Sequence, residues 1–236
     1  MSMRLKQRTL LLIGYGIGLS LLVGCNAMNA APTEKLIAYE ENFEIKGQEK
    51  EQMIGTVSSA IYKQVDRGNE NAEQISIPVV PKEGVDVQLA TGRYVMTGDP
   101  VGNIFVYDEE GRLILTEIVG SYAGAGSLTI DVDASYTVRA DGGYDTVSFT
   151  PISTSIQTES LSTGLWVVGT DIEAGTYTVS IDSGYGYLHV LEEGEEPLVY
   201  EMIGGSVAKS ESRIDLHDGQ IVRVKNASFI TFKKVD

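Results

Sequence analysis

Reactive and metal-binding side chains are scarce in this sequence. Cys25 is the only cysteine among 236 residues, which excludes an intrachain disulfide framework. The two histidines, His189 and His217, belong to no HExxH pattern, and without a second cysteine the sequence predicts no zinc site and no cofactor. The GxSxG, P-loop and GxGxxG patterns are also missing, so these common enzyme signatures are excluded.

Basic residues are few as well. The chain has 18 Lys and Arg against 33 Asp and Glu, a net charge of −15. Three basic residues and no acidic ones lie in the first 24 positions, so the remainder carries −18. Such a surface repels phosphate backbones, which argues against nucleic acid as a partner. The charge favours solubility, with weak attraction to cations or basic peptides as the alternative.

The sequence also lacks an apolar run that reaches the length of a spanning helix. Leu10 to Val23 is apolar apart from Ser20 and the glycines, but it has 14 residues where a spanning helix needs about 20. The positively charged start MSMRLKQR before this run predicts a secretory signal. The run ends in LVGC, residues 22–25, which has the form of a lipobox.

This N-terminus resembles that of bacterial lipoproteins over its first 25 residues. The resemblance implies that a signal peptidase recognises Leu22, Val23 and Gly24, and that the Cys25 sulfur forms a thioether to diacylglycerol after cleavage at Gly24-Cys25. A further acyl chain, such as palmitate, is what makes such anchoring stable. We therefore expect a lipid-anchored protein at the cell membrane that faces outside, with membrane lipid as its partner. An ordinary secretory signal and an uncleaved anchor helix are the alternatives.

An internal repeat organises the chain after residue 74. The stretch ATGRYVM at 90–96 aligns with EAGTYTV at 173–179, an offset of 83. Further matches at an offset of 83 or 84 are Asp99 with Asp182, Glu110 with Glu193, Glu117 with Glu201, Val138-Arg139 with Val222-Arg223, and Phe149 with Phe232. The pattern predicts two copies of one module, at 75–152 and 162–236, with a polar linker at 153–160.

Each copy has the composition of short β-strands. Runs such as NIFVYD, SLTIDVD and IVRVKN are separated by Gly, Asp and Asn, and several alternate apolar and polar residues. They predict a mainly β fold of two tandem antiparallel β-sandwich or barrel-like modules. DEEG and EEGEEP predict hairpin connections, and LHDGQ, with VDASY as its counterpart, predicts an Asp-Gly turn.

The second copy contains VGTDIEAGTYTV at 168–179. This stretch resembles the VGxDIxAGxYxV opening of small β modules in Gram-positive secreted and surface proteins. The resemblance implies an extracytoplasmic β module and favours a Gram-positive host, but it implies no reaction. We expect Gly92 and Gly175 to provide a turn or a close approach before a strand, and Tyr94 and Tyr177 to pack with the hydroxyl at the rim.

A lipidated tether and a helical segment are predicted at 25–74. Residues 26–34 are small, polar and broken by Pro32, as a tether requires. Within 35–66 the apolar residues at helical spacing are Ile54, Val57, Ile61 and Val65. Gly47 separates them from LIAYEENFEI, which fits a helix or a strand. We expect the apolar face to pack on the following module, with a partner-binding or membrane-surface helix as the alternative.

Polar residues near strand ends carry the remaining candidate chemistry. His217 lies between two aspartates in a predicted surface turn, and His189 alternates with apolar neighbours, so we expect it to face solvent or a rim. The aspartates near these strand ends are Asp131, Asp133, Asp215 and Asp218. Solvated strand ends explain them, and calcium, which takes six to eight oxygen ligands, is the alternative.

The function predicted from these features is non-catalytic: binding of a cell-wall polymer, a glycan or a surface protein, or a structural role. Two sets of residues support alternatives. The pairs Glu117 with Glu201 and Glu110 with Glu193 suggest a hydrolase that uses two carboxylates. A sugar-stacking face is the alternative to core packing for Tyr107, Tyr122, Tyr144, Trp166, Tyr185, Tyr187 and Tyr200.

Overall fold

The computed structural model describes residues 32–153, 159–206 and 208–235. The part from Glu34 onward belongs to one compact unit. The predicted mainly β fold is confirmed, since the described residues contain sixteen strands and two short α-helices. None of these helices has the length and apolar character needed to cross a membrane. Cys25 and the lipobox positions before it lie outside the described residues.

The segment before the strands consists of short helical pieces. Helix α1 spans Glu34–Asn42, helix α2 spans Gln48–Ile54, and a 3₁₀ turn spans Ser59–Tyr62. The prediction of one helical face from Ile54 to Val65 is wrong. Helix α2 stops at Ile54 because Gly55 adopts a φ of +64°, and Ile61 is buried from the 3₁₀ turn instead.

The strands fall into two sets of eight. The first half comprises β1 (Ile75–Pro78), β2 (Val85–Val87), β3 (Gly92–Asp99), β4 (Gly102–Tyr107), β5 (Leu113–Val119), β6 (Leu128–Val132), β7 (Thr137–Asp141) and β8 (Thr146–Pro151). The second half comprises β9 (Ser160–Leu161), β10 (Gly164–Val167), β11 (Gly175–Ser180), β12 (Gly184–Leu191), β13 (Leu198–Gly204), β14 (Ser212–Leu216), β15 (Ile221–Lys225) and β16 (Ile230–Lys234).

The described strands form three sheets. Sheet A has the order β1-β8-β3-β6-β10-β15-β12-β13, sheet B has β2-β7-β4-β5, and sheet C has β14-β11-β16-β9. The two halves have the same pairings: β1-β8-β3-β6 corresponds to β9-β16-β11-β14, and β2-β7-β4-β5 corresponds to β10-β15-β12-β13. Each half is therefore a sandwich of two four-stranded sheets, and sheet A fuses one sheet of each half.

The halves meet where β6 runs parallel to β10. Gly164 pairs with Thr129, and the Thr129 N–H donates to the Thr163 carbonyl at 3.0 Å. Gly164 has a φ of +151°, and a Cβ at this position would lie 2.0 Å from the Thr129 oxygen. The close approach of the two strands therefore requires glycine.

Sheets B and C cover opposite faces of sheet A. Along β10, Leu165 packs in the first core, which contains Ile104 of sheet B, whereas Trp166 packs in the second core, which contains Tyr177 and Phe232 of sheet C. The second half of sheet A is thus buried on both faces where sheet B overlaps it. Strands in such a position need apolar residues on both sides.

Strand directions define two ends of the molecule. We call the end where β3 turns into β4 the tip, and the opposite end the base. Because β6 and β10 are parallel, the tips of the two halves lie at the same end of the strands of sheet A. The sheet twist of about 20–25° per strand spreads them apart.

The turns at the base agree in part with the sequence. DEEG at 108–111 joins the antiparallel pair β4 and β5, and EEGEEP at 192–197 joins β12 and β13, so both predicted hairpins are confirmed. The Asp-Gly turn predicted at LHDGQ is confirmed at Asp218 and Gly219, but it joins β14 of sheet C to β15 of sheet A. VDASY likewise joins β6 of sheet A to β7 of sheet B, so these turns cross between sheets.

Candidate functional site

An exposed pair of tyrosines lies on β12. Tyr185 and Tyr187 are on the face opposite the second core, which Leu188 and Val190 fill from the same strand. Tyr185 is 59% exposed and Tyr187 is half-buried. Their ring centroids are 6.4 Å apart and the rings are nearly perpendicular, at 81°. The pair leaves aromatic surface open to solvent beside the overlap of the two halves.

Charged groups flank Tyr187 on both neighbouring strands. Its register partners are Glu201 on β13 and Lys225 on β15, and directly opposite residues share a face of the sheet. The Tyr39 hydroxyl of α1 donates to Glu201, and this hydrogen bond raises the pKa of Tyr39 to about 12. Burial lowers the pKa of Lys225. We call Tyr185, Tyr187, Glu201 and Lys225 the tyrosine face.

A buried charge cluster lies beside the tyrosine face. His189 is 1% exposed, and neither ring nitrogen has a hydrogen-bond partner among the described residues. Its cross-strand neighbour Arg223 places Nη2 3.3 Å from Oε1 of Glu117 on β5. Burial lowers the pKa of His189 well below its usual value, and the charges of Arg223 and Lys225 add to this shift. The expectation that His189 faces solvent or a rim is wrong because sheet B covers this part of β12.

The two carboxylates of the hydrolase alternative do not occupy matching places. Glu117 pairs with Ile104, which lies in the first core, whereas Glu201 pairs with Tyr187, outside the second core. The sequence alignment is therefore displaced by one residue here, and such a slip moves a side chain to the opposite face of a strand. Burial raises the pKa of Glu117, with Arg223 opposing the shift, while Glu201 accepts from a tyrosine. The other pair, Glu110 and Glu193, is exposed in turns at the base.

A network of four charged residues lies at the junction between the two halves. The Arg67 Nη1 and Nη2 donate to the two carboxylate oxygens of Asp171 at 2.7 and 3.0 Å, and Nε donates to Asp131 at 2.8 Å. Arg93 Nη1 donates to Asp131 at 2.6 Å. Asp171 is fully buried and also accepts the Val167 N–H at 2.7 Å. The network ties the segment before β1 to both halves at once.

Sequence reasoning missed this network. Asp171 is the aspartate of the VGTDIEAGTYTV stretch, and Arg93 follows Gly92 in the aligned stretch of the first copy. Arg93 is also buried, with its guanidinium 4.7 Å from the ring centroid of Trp166. The signal available in the sequence was a charged residue inside each aligned apolar motif, because a fully buried charge needs a partner.

Three of the four aspartates considered for calcium accept hydrogen bonds from groups of the protein. Asp131 accepts from two guanidiniums, and Asp133 accepts from Ser135 and Lys63. Asp215 accepts from a threonine hydroxyl, and Asp218 is exposed in its turn. Among the described residues no group of three or more His, Cys, Asp or Glu side chains is arranged to hold a metal ion. His217 is exposed in the same turn as Asp218.

The glycines and tyrosines that repeat in the two copies serve the local structure. Tyr94 and Tyr177 are fully buried, and each hydroxyl donates at 2.9 Å to the carbonyl four residues before it. Gly175 has a φ of +150°. At Gly92 a Cβ would lie 2.3 Å from Oδ1 of Asn69. These positions shape the start of β3 and β11 and lie away from the tyrosine face.

The aromatic residues considered for a sugar-stacking face are divided by the fold. The buried ones are Tyr144, Trp166 and Tyr200. Tyr107 is half-buried, where it stacks on Phe105, and Tyr122 is 87% exposed in a tip loop of the first half. Tyr185 and Tyr187 are the members of this set that lie within ring-contact distance of each other in the described chain.

Comparisons of this chain with protein-family models, with curated proteins and with solved structures find no match.

Proposed function

We propose that the protein is a lipid-anchored extracytoplasmic protein whose tyrosine face binds a glycan of the cell surface, without catalysis. The observation that carries the binding role is the Tyr185–Tyr187 pair, in which Tyr185 is 59% exposed and Tyr187 lies between Glu201 and Lys225. The LVGC lipobox at residues 22–25 supports the anchor.

The place where the chain joins the β-sandwiches supports a short connection between them and a lipid on Cys25. Cys25 precedes Glu34 by nine residues, which span at most roughly 30 Å when extended. Glu34 lies at the base, because its carboxylate is 3.6 Å from Lys46 Nζ and the adjacent Ile45 N–H donates to the Val199 carbonyl at the start of β13. A lipid on Cys25 would therefore keep Glu34 within roughly 30 Å of the lipid attachment point.

The chemistry of the tyrosine face supports a glycan as its ligand. A tyrosine ring offers an apolar surface to the C–H face of a sugar, and its hydroxyl reaches water. Glu201 accepts and Lys225 donates hydrogen bonds, so together they match sugar hydroxyls, which do both. The net charge of −18 after residue 24 disfavours anionic polymers and leaves neutral or cationic glycans as the fitting class.

A retention assay on insoluble cell-wall glycan tests the binding role. Protein beginning at Asn26 is mixed with the glycan, and the bound fraction is compared with that of Tyr185→Ala and of Tyr122→Ala. Tyr122 is the matched control, since it is also an exposed tyrosine but lies in a tip loop of the first half. We expect Tyr185→Ala to lose at least about tenfold in affinity, which corresponds to 1.4 kcal/mol. Equal binding by all three proteins would reject the tyrosine face as the site.

Mass spectrometry of the mature protein tests the anchor. We expect an N-terminal Cys25 that carries a diacylglycerol thioether, and a protein that fractionates with membranes. The Cys25→Ser variant should leave the membrane fraction. An unmodified wild-type protein in the culture medium would contradict lipidation, and this result would leave the glycan assay unaffected.

A further inference from the structure

The two halves are joined head to tail, and the second half carries the edge at which a third would attach. Thr129 of β6 pairs with Val95 on β3, and Arg213 of β14 pairs with Thr178 on β11. Arg213 is therefore the counterpart of Thr129, whose N–H donates to the Thr163 carbonyl across the junction. A head-to-tail contact of this kind does not close on itself and can repeat.

Asn42, the last residue of α1, occupies the corresponding edge of β14. Its Oδ1 accepts the Arg213 N–H at 2.7 Å, and its Nδ2 donates to the Arg213 carbonyl at 2.9 Å. The Asn42 carbonyl accepts the Ser212 hydroxyl at 2.8 Å. A side-chain amide has the same donor and acceptor groups as a peptide unit. Asn42 thus gives Arg213 the partner that a neighbouring strand gives Thr129.

Val85 blocks the corresponding contact on the edge strand β2 of the first half. Val85 pairs with Ala140 on β7, and Gly164 pairs with Val224 on β15, so β2 is the counterpart of β10 and Val85 is the counterpart of Gly164. The junction tolerates no Cβ at Gly164, where it would lie 2.0 Å from a carbonyl oxygen of β6. Valine at the equivalent position of β2 prevents this strand from entering the same contact.

We propose that the edge of β14 is a docking edge for β2 of a second copy of this chain, and that Asn42 and Val85 keep it closed. The partner is fixed by the existing junction, in which the counterpart of β14 already receives the counterpart of β2. With both blocks removed, copies would join in an open row. Each junction between two copies would be one contact between β14 of one copy and β2 of the next. The proposal is independent of the lipid anchor and of glycan binding.

Sedimentation velocity of four proteins tests this proposal: wild type, Asn42→Ala, Val85→Gly and the double variant. We expect the double variant to form dimers and longer oligomers that grow with concentration, whereas wild type and both single variants stay monomeric. A folded double variant that stays monomeric would overturn the proposal. Association of Asn42→Ala alone would overturn the role of Val85, and association of Val85→Gly alone would overturn that of Asn42.

A third substitution separates edge pairing from non-specific association. Arg213→Pro removes the outward N–H of β14, and proline is tolerated on an edge strand whose N–H faces outward. Added to the double variant, it should restore the monomer; oligomers that persist would show that another surface associates. Circular dichroism checks that each protein is folded, and Asn42→Ser replaces Asn42→Ala, with the same expected outcomes, if the latter unfolds.

Discussion

Acidification is expected to weaken the fold through His189. The folded state holds this side chain neutral, since burial and the nearby positive charges of Arg223 and Lys225 lower its pKa well below the usual 6.5. The unfolded chain has no such environment and takes up a proton at about pH 6.5. Stability from this group is therefore complete above pH 6.5 and is lost as the pH falls from there toward the folded pKa.

The size of the effect follows from proton linkage. While the pH lies between 6.5 and the lower folded pKa of His189, each unit of acidification costs about 1.4 kcal/mol of unfolding free energy. Glu117 acts with the opposite sign: its raised pKa means that the folded state binds a proton before the unfolded chain does, which adds stability as the pH falls toward 4.5. A comparison with a variant that lacks the imidazole isolates the histidine contribution.

Urea unfolding from pH 8 to pH 5 measures the unfolding free energy as a function of pH for wild type and for His189→Gln. The difference in unfolding free energy between wild type and His189→Gln should be constant above about pH 6.5 and then shift by about 1.4 kcal/mol per unit in disfavour of wild type. His217→Gln, which changes the exposed histidine, controls for the loss of an imidazole elsewhere in the chain. Parallel profiles for His189→Gln and wild type down to pH 5 would refute the reasoning, because they would place the folded and unfolded pKa values of His189 together.

Three further predictions concern unfolding free energies in urea. Asp171→Ala leaves two guanidiniums without their shared carboxylate and should cost about 3–5 kcal/mol, whereas Asp215→Ala, at an exposed position, should cost less than about 1; equal costs would deny the network its role. Gly164→Ala introduces a Cβ 2.0 Å from a carbonyl oxygen and should cost about 2 kcal/mol or more; a neutral effect would contradict the close approach of β6 and β10. Tyr94→Phe and Tyr177→Phe each remove one hydroxyl hydrogen bond and should cost about 1 kcal/mol apiece, and a large difference between them would show that the two positions are not equivalent.

Local patterns predicted the parts of this fold that local interactions determine. The strands and the DEEG and EEGEEP hairpins could be predicted because alternation and turn residues lie within a few positions of each other. LHDGQ has the same turn chemistry as a hairpin, yet its strands enter different sheets. The apolar spacing from Ile54 to Val65 fits a helix, but Ser58 caps a 3₁₀ turn there and its N–H pairs with Leu113, so tertiary contacts decide the conformation.

The candidate site depended on contacts that sequence patterns do not encode. His189 has the alternation of a half-exposed strand, and only the overlap of sheet B with the second half buries it. The Arg67–Asp171 pair joins residues that are 104 positions apart, so no local sequence pattern predicts it. The one-residue displacement that separates Glu117 from Glu201 is visible only in strand register. Composition predicted tyrosines on sheet faces, but not which of them stay exposed.

The docking of α1 also determines how the molecule would respond to force. Tension applied at Glu34 acts first on α1, which has no buried residue, and then on the hydrogen bonds of Asn42 to β14. The bridge between Glu44 and Tyr200 follows in the chain. These contacts are loaded in series, so the segment yields one contact at a time while both sandwiches keep their cores. Stretching the chain from this end would therefore release the edge of β14 before it unfolds a sandwich.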